Sequence, residues 1–533
     1  MRFGRFLLLL LGVSLHFSCA NVVPPTGGER DTVAPELIKA DPPNGSLFFS
    51  QRYIRLDFNE YIRLQQPNNI RVTPALDDKP TFTDRFGTLY IDLGPTPLRD
   101  STTYTINFGE VITDLNEGNK LSNFRYVFST GHYLDSLIVG GVVLDAEKME
   151  PMADILVGLY PEDYGDSAVF NRKPFYFIKT TKDGKFSLEN LKAGVYTLLA
   201  FDDKDNNQSF KLNEPVAYLD TLLVLDTVAR PPLVMRLFED KEANFKLLEK
   251  RASEPGLVRF KFSSQPADSI SISRIDSAEA DFVMQKAGDS VLFHHRSLQA
   301  DSLLFAINYG DYIDSVKITN RKPGERGLRP PTLRLQKNNQ PSVIEPMYLE
   351  LSRPIGHMDT ASFVWTKDTV EAADVPFEIE VNGLLLTIKP ELEPKKRYEL
   401  YIPPAAVRDW FDMPADTFRF FFNSSSLESF SGLIIEDTDS LPDGVTHLQL
   451  LSDKGEVLET REIVTGEKIV FEQLRPLAYR IRLLADENNN GQFDNGSFLH
   501  RRQPERLWYM PESVKLRANW EISVSLKELP KPW

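Results

Sequence analysis

An internal duplication constrains the fold of this 533-residue chain more than any other feature of its sequence. Three residues recur with an offset of 283 positions: Leu191, Tyr196 and Phe210 match Leu474, Tyr479 and Phe493. A second set recurs upstream with an offset of 294 positions: Tyr104 and segment 124–128 match Tyr398 and segment 418–422. Self-similarity at a fixed offset indicates repeated structural units. The sequence therefore predicts a two-domain unit, A followed by B, that occurs twice.

The secondary structure that fills these units is β. Apolar and polar residues alternate in many short segments, for example 53–58, 103–108 and 124–128, as in half-buried strands. Pro, Asn and Gly turn signals separate these segments at close intervals. Helical periodicity is convincing only at 239–251. We therefore predict an all-β protein, a tandem array of about five β-sandwich domains that together form a long arm.

The A units carry the residues of a known family. These are Ala34-Pro35, Pro43-Asn44-Gly45, segment 54–58, Leu98, Thr102 to Tyr104, Asp114 to Asn119 and Phe128 to Gly131. They resemble the bacterial Ig-like domains of the S-layer SbsA type. The second copy keeps Tyr398 and Asp409 but lacks the Asn-Glu-Gly-Asn sequence that follows Asp114 in the first.

The B units resemble the carboxypeptidase-regulatory, or transthyretin-like, fold. The residues that carry this resemblance are Gly140 to Val142, Asp154 to Val157, Thr181 to Phe186 and Leu191 to Tyr196. The predicted domain boundaries are 34–131 (first Ig-like domain), 132–238 (first carboxypeptidase-regulatory-like domain), 239–330 (an unassigned β-rich domain), 331–424 (second Ig-like domain) and 425–533 (second transthyretin-like domain).

The first residues have the pattern of a secretory signal peptide. Residues 1–5 are basic, residues 6–15 are apolar, and Cys19, the only cysteine, follows closely. The apolar run is too short to span a membrane. The position of Cys19 resembles the cleavage and lipidation site of bacterial lipoproteins. We predict a signal peptide at 1–18 and a lipidated Cys19 with its linker at 19–33. The alternative is a plain signal peptide with an incidental cysteine.

Lipidation at Cys19 would make the membrane the first partner of the chain. Ala20 carries no inner-membrane retention signal, and no acidic run follows the cysteine. We therefore expect the outer membrane, with the periplasmic face favoured over the cell surface. The net charge of −15 argues against a nucleic-acid partner, which would require a basic surface. Taken whole, the chain resembles an Ig-like envelope lipoprotein of the Bacteroidota type.

Two Asp/Asn loops at equivalent places in the B units are the best candidate sites. The first places Asp203, Asp205 and Asn207 at positions 1, 3 and 5 of a calcium loop, with Glu214 at position 12. The second places Asp486, Asn488, Asn490 and Asp494 at positions 1, 3, 5 and 9, without a Glu at position 12. Alternating oxygen ligands suit calcium, which would have a structural role. The alternative is a turn in which these side chains bond backbone N–H groups.

A recurring tripeptide, Asp-Ser/Thr-apolar, occurs more often than average composition predicts. It resembles the O-glycosylation sequence used on exported proteins by Bacteroidota-type bacteria, and turn formation before a strand is the alternative interpretation. Catalytic motifs are lacking, so we predict that the protein is not an enzyme. His294 and His295 are adjacent in a predicted strand and point to opposite faces, which disfavours a shared metal.

These observations lead to one functional prediction and two rivals. We predict a scaffold or accessory subunit of an outer-membrane complex, with assembly or export of outer-membrane proteins and lipoproteins as candidate processes. One rival is a glycan-binding or adhesive surface lipoprotein that uses exposed aromatic residues, with Trp410-Phe411, Trp508-Tyr509 and Trp533 as candidates. The other is a carboxypeptidase-like hydrolase, suggested by the B units, for which no zinc-ligand set is present.

Overall fold

The computed structural model describes residues 31–528 except for 166, 229, 244, 267–269, 277–281, 311, 337–345, 369–373 and 440. The predictions that concern the signal peptide, Cys19 and Trp533 lie outside the described residues. The described part of the chain is almost wholly β, as predicted. No helix found there is long and apolar enough to cross a membrane.

The first domain is a β-sandwich of two main sheets. Its strands are β1 (Leu37–Asp41), β2 (Tyr53–Phe58), β3 (Ile62–Leu64), β4 (Arg71–Thr73), β5 (Thr81–Arg85), β6 (Thr88–Asp92), β7 (Thr103–Gly109), β8 (Ile112–Asp114) and β9 (Phe124–Ser129). One sheet has the order β1-β2-β6-β5, the other has the order β4-β7-β9, and β3 pairs with β8. Ile54, Leu56 and Phe58 alternate along β2 and are buried between the sheets.

The second domain has a different sandwich topology. Its elements are β10 (Leu137–Asp145), β11 (Leu156–Pro161), helix α1 (Ala168–Asn171), β12 (Tyr176–Lys179), β13 (Lys185–Leu191), β14 (Gly194–Phe201), β15 (Val216–Tyr218), β16 (Leu223–Leu225) and β17 (Leu233–Leu237). The sheet β13-β10-β17 packs against the sheet β12-β11-β14-β15, and β16 also pairs with β14. Strands β10 and β17 are parallel, so the chain returns to the first strand before it leaves the domain.

The third domain, which the sequence left unassigned, repeats the topology of the first. Its strands are β18 (Leu247–Glu254), β19 (Leu257–Phe262), β20 (Ser271–Arg274), β21 (Phe282–Ala287), β22 (Ser290–His295), β23 (Ser302–Tyr309) and β24 (Tyr312–Thr319). They form the sheets β18-β19-β22-β21 and β20-β23-β24. The helix predicted at 239–251 is wrong, because β18 begins at Leu247 and pairs with β19 along its length. Hairpin pairing with the next strand here overrides the helical periodicity.

The fourth domain has the same arrangement as the first. Its strands are β25 (Leu333–Leu335), β26 (Met347–Leu351), β27 (Ile355–Met358), β28 (Val364–Lys367), β29 (Phe377–Asn382), β30 (Leu385–Pro390), β31 (Arg397–Ile402), β32 (Val407–Asp409) and β33 (Phe418–Asn423). The sheets are β25-β26-β30-β29 and β28-β31-β33, and β27 pairs with β32. The same hydrogen bond also recurs: the Tyr104 hydroxyl accepts from the Arg99 N–H, and the Tyr398 hydroxyl accepts from the Glu393 N–H.

The fifth domain repeats the second. Its strands are β34 (Ser431–Glu436), β35 (His447–Leu451), β36 (Val457–Glu462), β37 (Ile469–Leu474), β38 (Ala478–Ala485), β39 (Arg506–Tyr509), β40 (Val514–Lys515) and β41 (Glu521–Ser525). The sheets are β37-β34-β41 and β36-β35-β38-β39, with β34 and β41 parallel. The Tyr196 hydroxyl donates to the Lys192 carbonyl, and the Tyr479 hydroxyl donates to the Arg475 carbonyl. The duplication is therefore a duplication of structure as well as of sequence.

Short 3₁₀ turns complete the described secondary structure: Pro67–Asn69, Glu162–Tyr164, Thr360–Ser362, Leu427–Ser429 and Leu526–Glu528. The domains do not follow one another as a simple extended arm. The second and fifth domains pack against each other, although more than 250 positions separate Asp240 from the residues that it contacts in the fifth domain. The expectation of a long arm is wrong in this respect, because side chains beyond the repeated core join the two B units.

Candidate functional site

The first Asp/Asn loop joins β14 to β15, and pairing of Phe201 with Val216 closes its base. Asp203 is buried at the start of the loop. Its carboxylate accepts hydrogen bonds from the backbone N–H groups of Asn207 (3.0 Å) and Gln208 (3.1 Å). Short acidic side chains form such bonds readily in tight turns, so the local sequence accounts for this part of the loop.

Three carboxylates converge in this loop. Carboxylate oxygens of Asp203, Asp205 and Glu214 all lie within 4.8 Å of one another. Burial raises the pKa of Asp203, and burial together with the charges of Asp205 and Asp203 raises the pKa of Glu214. A hard divalent cation bound by these oxygens would offset both the repulsion and the cost of burial. The structure thus brings together three of the four residues that the sequence placed on a calcium loop.

The same loop also has the contacts of a self-sufficient turn. The Asp205 carboxylate bonds the Lys211 ammonium group, and this bond lowers the pKa of Asp205. The Asn207 side-chain oxygen accepts from the Ser209 N–H (2.6 Å), and Glu214 accepts from the Lys211 N–H (2.9 Å). A cation would therefore have to displace Lys211 from Asp205. Calcium at this loop stays a prediction.

The second Asp/Asn loop follows β38 and is more completely hydrogen-bonded. Asp486 is buried and accepts from the backbone N–H groups of Asn490 (3.2 Å) and Gly491 (2.6 Å). The side-chain amide groups of Asn488 and Asn490 both donate to Asp494. Amide nitrogens, which cannot bind a cation, thus face this carboxylate. The structure brings the four predicted residues together as a turn.

The second loop has an acidic residue that the sequence analysis missed. Val216 of β15 and Leu507 of β39 pair with equivalent residues of β14 and β38. Glu214 and Glu505 each lie two residues before these positions, so Glu505 is the structural equivalent of Glu214. Glu505 is buried and accepts two backbone N–H bonds from the loop, at 2.9 and 2.8 Å. Burial raises its pKa. An insertion of eight residues moves Glu505 away from position 12 of the calcium loop. The ligand spacing of such a loop therefore could not predict it.

The inserted residues join the two B units, and we call segment 495–502 the clasp. Phe498 of the clasp is buried in an aromatic pocket of the second domain. Its ring centroid lies 5.8 Å from that of Phe170, 5.1 Å from Phe210 and 5.2 Å from Tyr218. Phe210 lies within the first Asp/Asn loop, so the side chain of a loop residue forms part of the pocket wall. Edge-to-face aromatic contacts of this kind add to the gain from burial.

Polar groups hold the clasp on both sides of Phe498. The buried carboxylate of Asp240 accepts from the Phe498 N–H (2.7 Å) and from the Ser497 hydroxyl (3.3 Å). Arg502 forms an ion pair with Glu242 (2.8 Å). A buried carboxylate that bonds several donors is costly to leave unpaired, so these contacts fix the clasp in one position.

Further bonds join the same two domains beside the clasp. Arg236 donates to the Glu505 carbonyl (3.1 Å), and the Tyr509 hydroxyl donates to the Glu147 carbonyl (2.7 Å). The side-chain amide of Gln503 donates to the Tyr218 carbonyl (3.0 Å). The contact is therefore a broad interface, and it includes one of the aromatic residues proposed for glycan binding.

The other described residues singled out in the sequence are buried, as the two histidines are, or half-buried, as the aromatic residues are. His294 and His295 are both buried at the end of β22, and neither ring nitrogen of His294 has a hydrogen-bond partner among the described residues. Burial and the charges of His295 and Arg353 lower the pKa of His294 to about 4, so this ring is neutral at pH 7. Arg296 stacks on the Trp410 ring at the junction of the third and fourth domains. Trp508 packs against the core of the fifth domain.

This geometry defines the class of the molecule as a tandem array of β-sandwich domains with two internally contacting repeats. Within it, residues 31–130 match the family model described as a bacterial Ig-like domain. No curated protein matches the chain.

Several solved structures are similar to the chain. The TIE protein of Bacillus anthracis is 9% identical, over 94% of this chain and 76% of that one, with a TM-score of 0.14. BcpA, the major pilin subunit of Bacillus cereus, is 9% identical, over 73% of this chain and 99% of that one, with a TM-score of 0.14. Domains 1–6 of the surface layer protein SbsC are 10% identical, over 87% and 67%, with a TM-score of 0.14.

Proposed function

We propose that the protein is a non-enzymatic, lipid-anchored scaffold or accessory subunit of an outer-membrane complex. The observation that supports this most is the contact between the second and fifth domains, in which an eight-residue insertion fixes two domains of the chain against each other. Domains in fixed positions present their loops and edge strands to a partner with a smaller loss of conformational entropy. An Ig-like first domain is compatible with this role.

The anchor at Cys19 is the second part of the proposal. Acyl chains at this residue would hold the protein at the membrane and raise its effective concentration near other membrane proteins. A modest intrinsic affinity would then suffice for stable association. We propose a periplasm-facing partner that assembles or exports outer-membrane proteins or lipoproteins. Calcium at Asp203, Asp205 and Glu214 would stabilise the wall of the aromatic pocket and take no part in chemistry.

An affinity pull-down of the C-terminally tagged protein from mildly solubilised native membranes tests both parts. We expect mass spectrometry to find an envelope component in stoichiometric amount and an acylated N-terminal peptide that begins at Cys19. Phe498→Ala combined with Arg502→Ala is the matched variant, because it keeps the anchor but removes both the aromatic contact and the ion pair that hold the second and fifth domains together. If the variant recovers less partner but is acylated as the wild type is, the fixed arrangement of the second and fifth domains contributes to binding. Recovery of the bait alone from wild type contradicts the proposed scaffold role.

The glycan-binding alternative loses most of its candidate residues in this structure. Trp410 stacks with Arg296 at a domain junction, and Tyr509 bonds the second domain. Trp508 packs against the core of its own domain. Adhesion would have to use Trp533, which lies outside the described residues, or other exposed residues, and cleavage by protease added to intact cells would be its first requirement.

A further inference from the structure

One end of the first domain gathers the start of the described chain and three loops, and we call it the entry end. Asn119 donates from its side-chain amide to the Asp31 carbonyl (3.0 Å), and Leu115 donates its N–H to the Tyr61 carbonyl (2.8 Å). Phe58 donates its N–H to the Gly87 carbonyl (2.8 Å), so the β5–β6 turn lies at the same end. The chain therefore arrives from Cys19 at this end of the domain.

The entry end exposes three apolar side chains. Phe86 is 88% exposed, Tyr61 57% and Leu115 39%. The rings of Phe86 and Tyr61 meet edge to face, with centroids 6.2 Å apart, so they form one patch. Phe86 is also the first residue of a two-residue turn and has a φ of +44°, a conformation that usually selects Gly, Asn or Asp. Apart from its contact with Tyr61, the side chain of Phe86 is left in solvent by the fold of its own domain.

The equivalent end of the duplicated fourth domain is covered by another domain. Its equivalent turn is 383–384, and Gly383 occupies the place of Phe86. A Cβ at Gly383 would lie 2.8 Å from the Val283 side chain of the third domain. Phe411 likewise lies against Gly256 of that domain. In the second copy, therefore, the corresponding end packs on the third domain, which precedes it in the chain.

In the proposed mature protein, the segment that precedes the first domain begins at Cys19. Twelve residue steps from Cys19 to Asp31 span at most about 40 Å. We propose that the entry end docks on the bilayer surface, with Phe86, Tyr61 and Leu115 in its interfacial layer. This inference rests on the proposed lipid anchor for the nearness of the membrane. The carboxylates of Asp31, Glu60 and Glu117 at this end favour a zwitterionic surface over an anionic one.

The lone cysteine allows the surface to be tested apart from natural lipidation. The chain from Cys19 onwards, which retains every described domain, is coupled through its thiol to maleimide-phosphatidylethanolamine in phosphatidylcholine vesicles. Phe86→Trp places a fluorophore in the patch, and brominated lipids quench a tryptophan only when it enters the bilayer. Ile313→Trp, at a site in the third domain that is also highly exposed (76%), is the control, and the unsubstituted chain supplies the baseline.

We expect quenching of the added signal at residue 86 to be at least about twofold greater than at residue 313. Equal quenching at the two positions overturns the inference. Phe86→Gly in the uncoupled chain is the second test, because glycine suits the turn and the variant retains the fold. It should lower co-sedimentation with zwitterionic vesicles at least about twofold, and unchanged sedimentation counts against docking. Absence of acyl chains at Cys19 in native membranes would instead contradict the proposed anchor and leave these results standing.

Discussion

Glu214 and Glu505 occupy equivalent positions in the two B units, but their surroundings differ. Glu214 meets two other carboxylates, whereas Glu505 accepts two backbone N–H bonds. The sequence predicted Glu214 as a site residue because the ligands of a calcium loop lie close together in sequence, at fixed spacing. It did not predict Glu505, because the position of that residue depends on pairing between β38 and β39 across an insertion. The first loop is therefore better suited to bind a cation, whereas the second is stabilised by its own hydrogen bonds.

Glu214→Gln should abolish stabilisation of the protein by calcium. Without calcium it should leave stability unchanged or raise it by up to about 1 kcal/mol, because one carboxylate leaves a repulsive cluster. In millimolar calcium the wild type should unfold at a higher temperature than in chelator, and the variant should not. Glu505→Gln is the control: its amide group faces a backbone N–H, so we expect a loss of about 1–3 kcal/mol in either buffer. A wild type that does not respond to calcium would contradict the cation site.

Phe86→Gly should stabilise the first domain by up to about 1 kcal/mol. The substitution relieves a left-handed backbone at a bulky residue, although the flexibility of glycine in the unfolded chain offsets part of the gain. Urea unfolding monitored in that domain measures the change. Gly87→Ala is the opposite case, since its Cβ would lie 2.7 Å from the Glu60 carbonyl oxygen, and it should destabilise. A loss of stability in Phe86→Gly would mean that Phe86 supports the fold.

At the scale of elements, the period-two pattern identified strands such as β2, which have one buried face, whereas β11 and β35 are buried on both faces. The expected helix at 239–251 failed for a related reason. Leu247 lies in β18, where pairing with β19 decides the conformation. The topology of the third domain could not be seen either, since it is a property of strand order and leaves no residue signature. Local patterns predict which segments are strands, and long-range pairing determines how they are arranged.

The clasp is an element whose effect can be isolated by one substitution. Phe498→Ala empties the pocket between Phe170, Phe210 and Tyr218, with an expected cost of about 3–5 kcal/mol to the contact. Limited proteolysis should then cleave within 495–502 at least tenfold faster. Leu499→Ala, at an exposed neighbour, should behave as wild type. Equal cleavage in the two variants would show that the clasp is held without its aromatic residue.

Strand position should also decide which Asp-Ser/Thr-apolar tripeptides receive glycans, if the protein is glycosylated. Ser315 follows Asp314 on β24 and is exposed, whereas Ser290 follows Asp289 at the start of β22 and is buried. Glycopeptide mapping of the native protein should therefore find sugar at Ser315 and none at Ser290. Glycosylation of Ser290 would contradict this expectation, because the sugar would have to be attached before the third domain folds.

At the scale of the whole molecule, contact between the second and fifth domains shortens what would otherwise be a chain of five sandwiches. Opening it should need more than one change, because both Phe498 and the Arg502–Glu242 ion pair hold it. We expect Phe498→Ala combined with Arg502→Ala to increase the radius of gyration by several ångströms in small-angle X-ray scattering, with unchanged β content. A matched pair of exposed changes, Leu499→Ala with Leu477→Ala, should leave the radius unaltered. An unchanged radius in the first pair would mean that the remaining bonds, among them Asp240 to the Phe498 N–H, close the molecule by themselves.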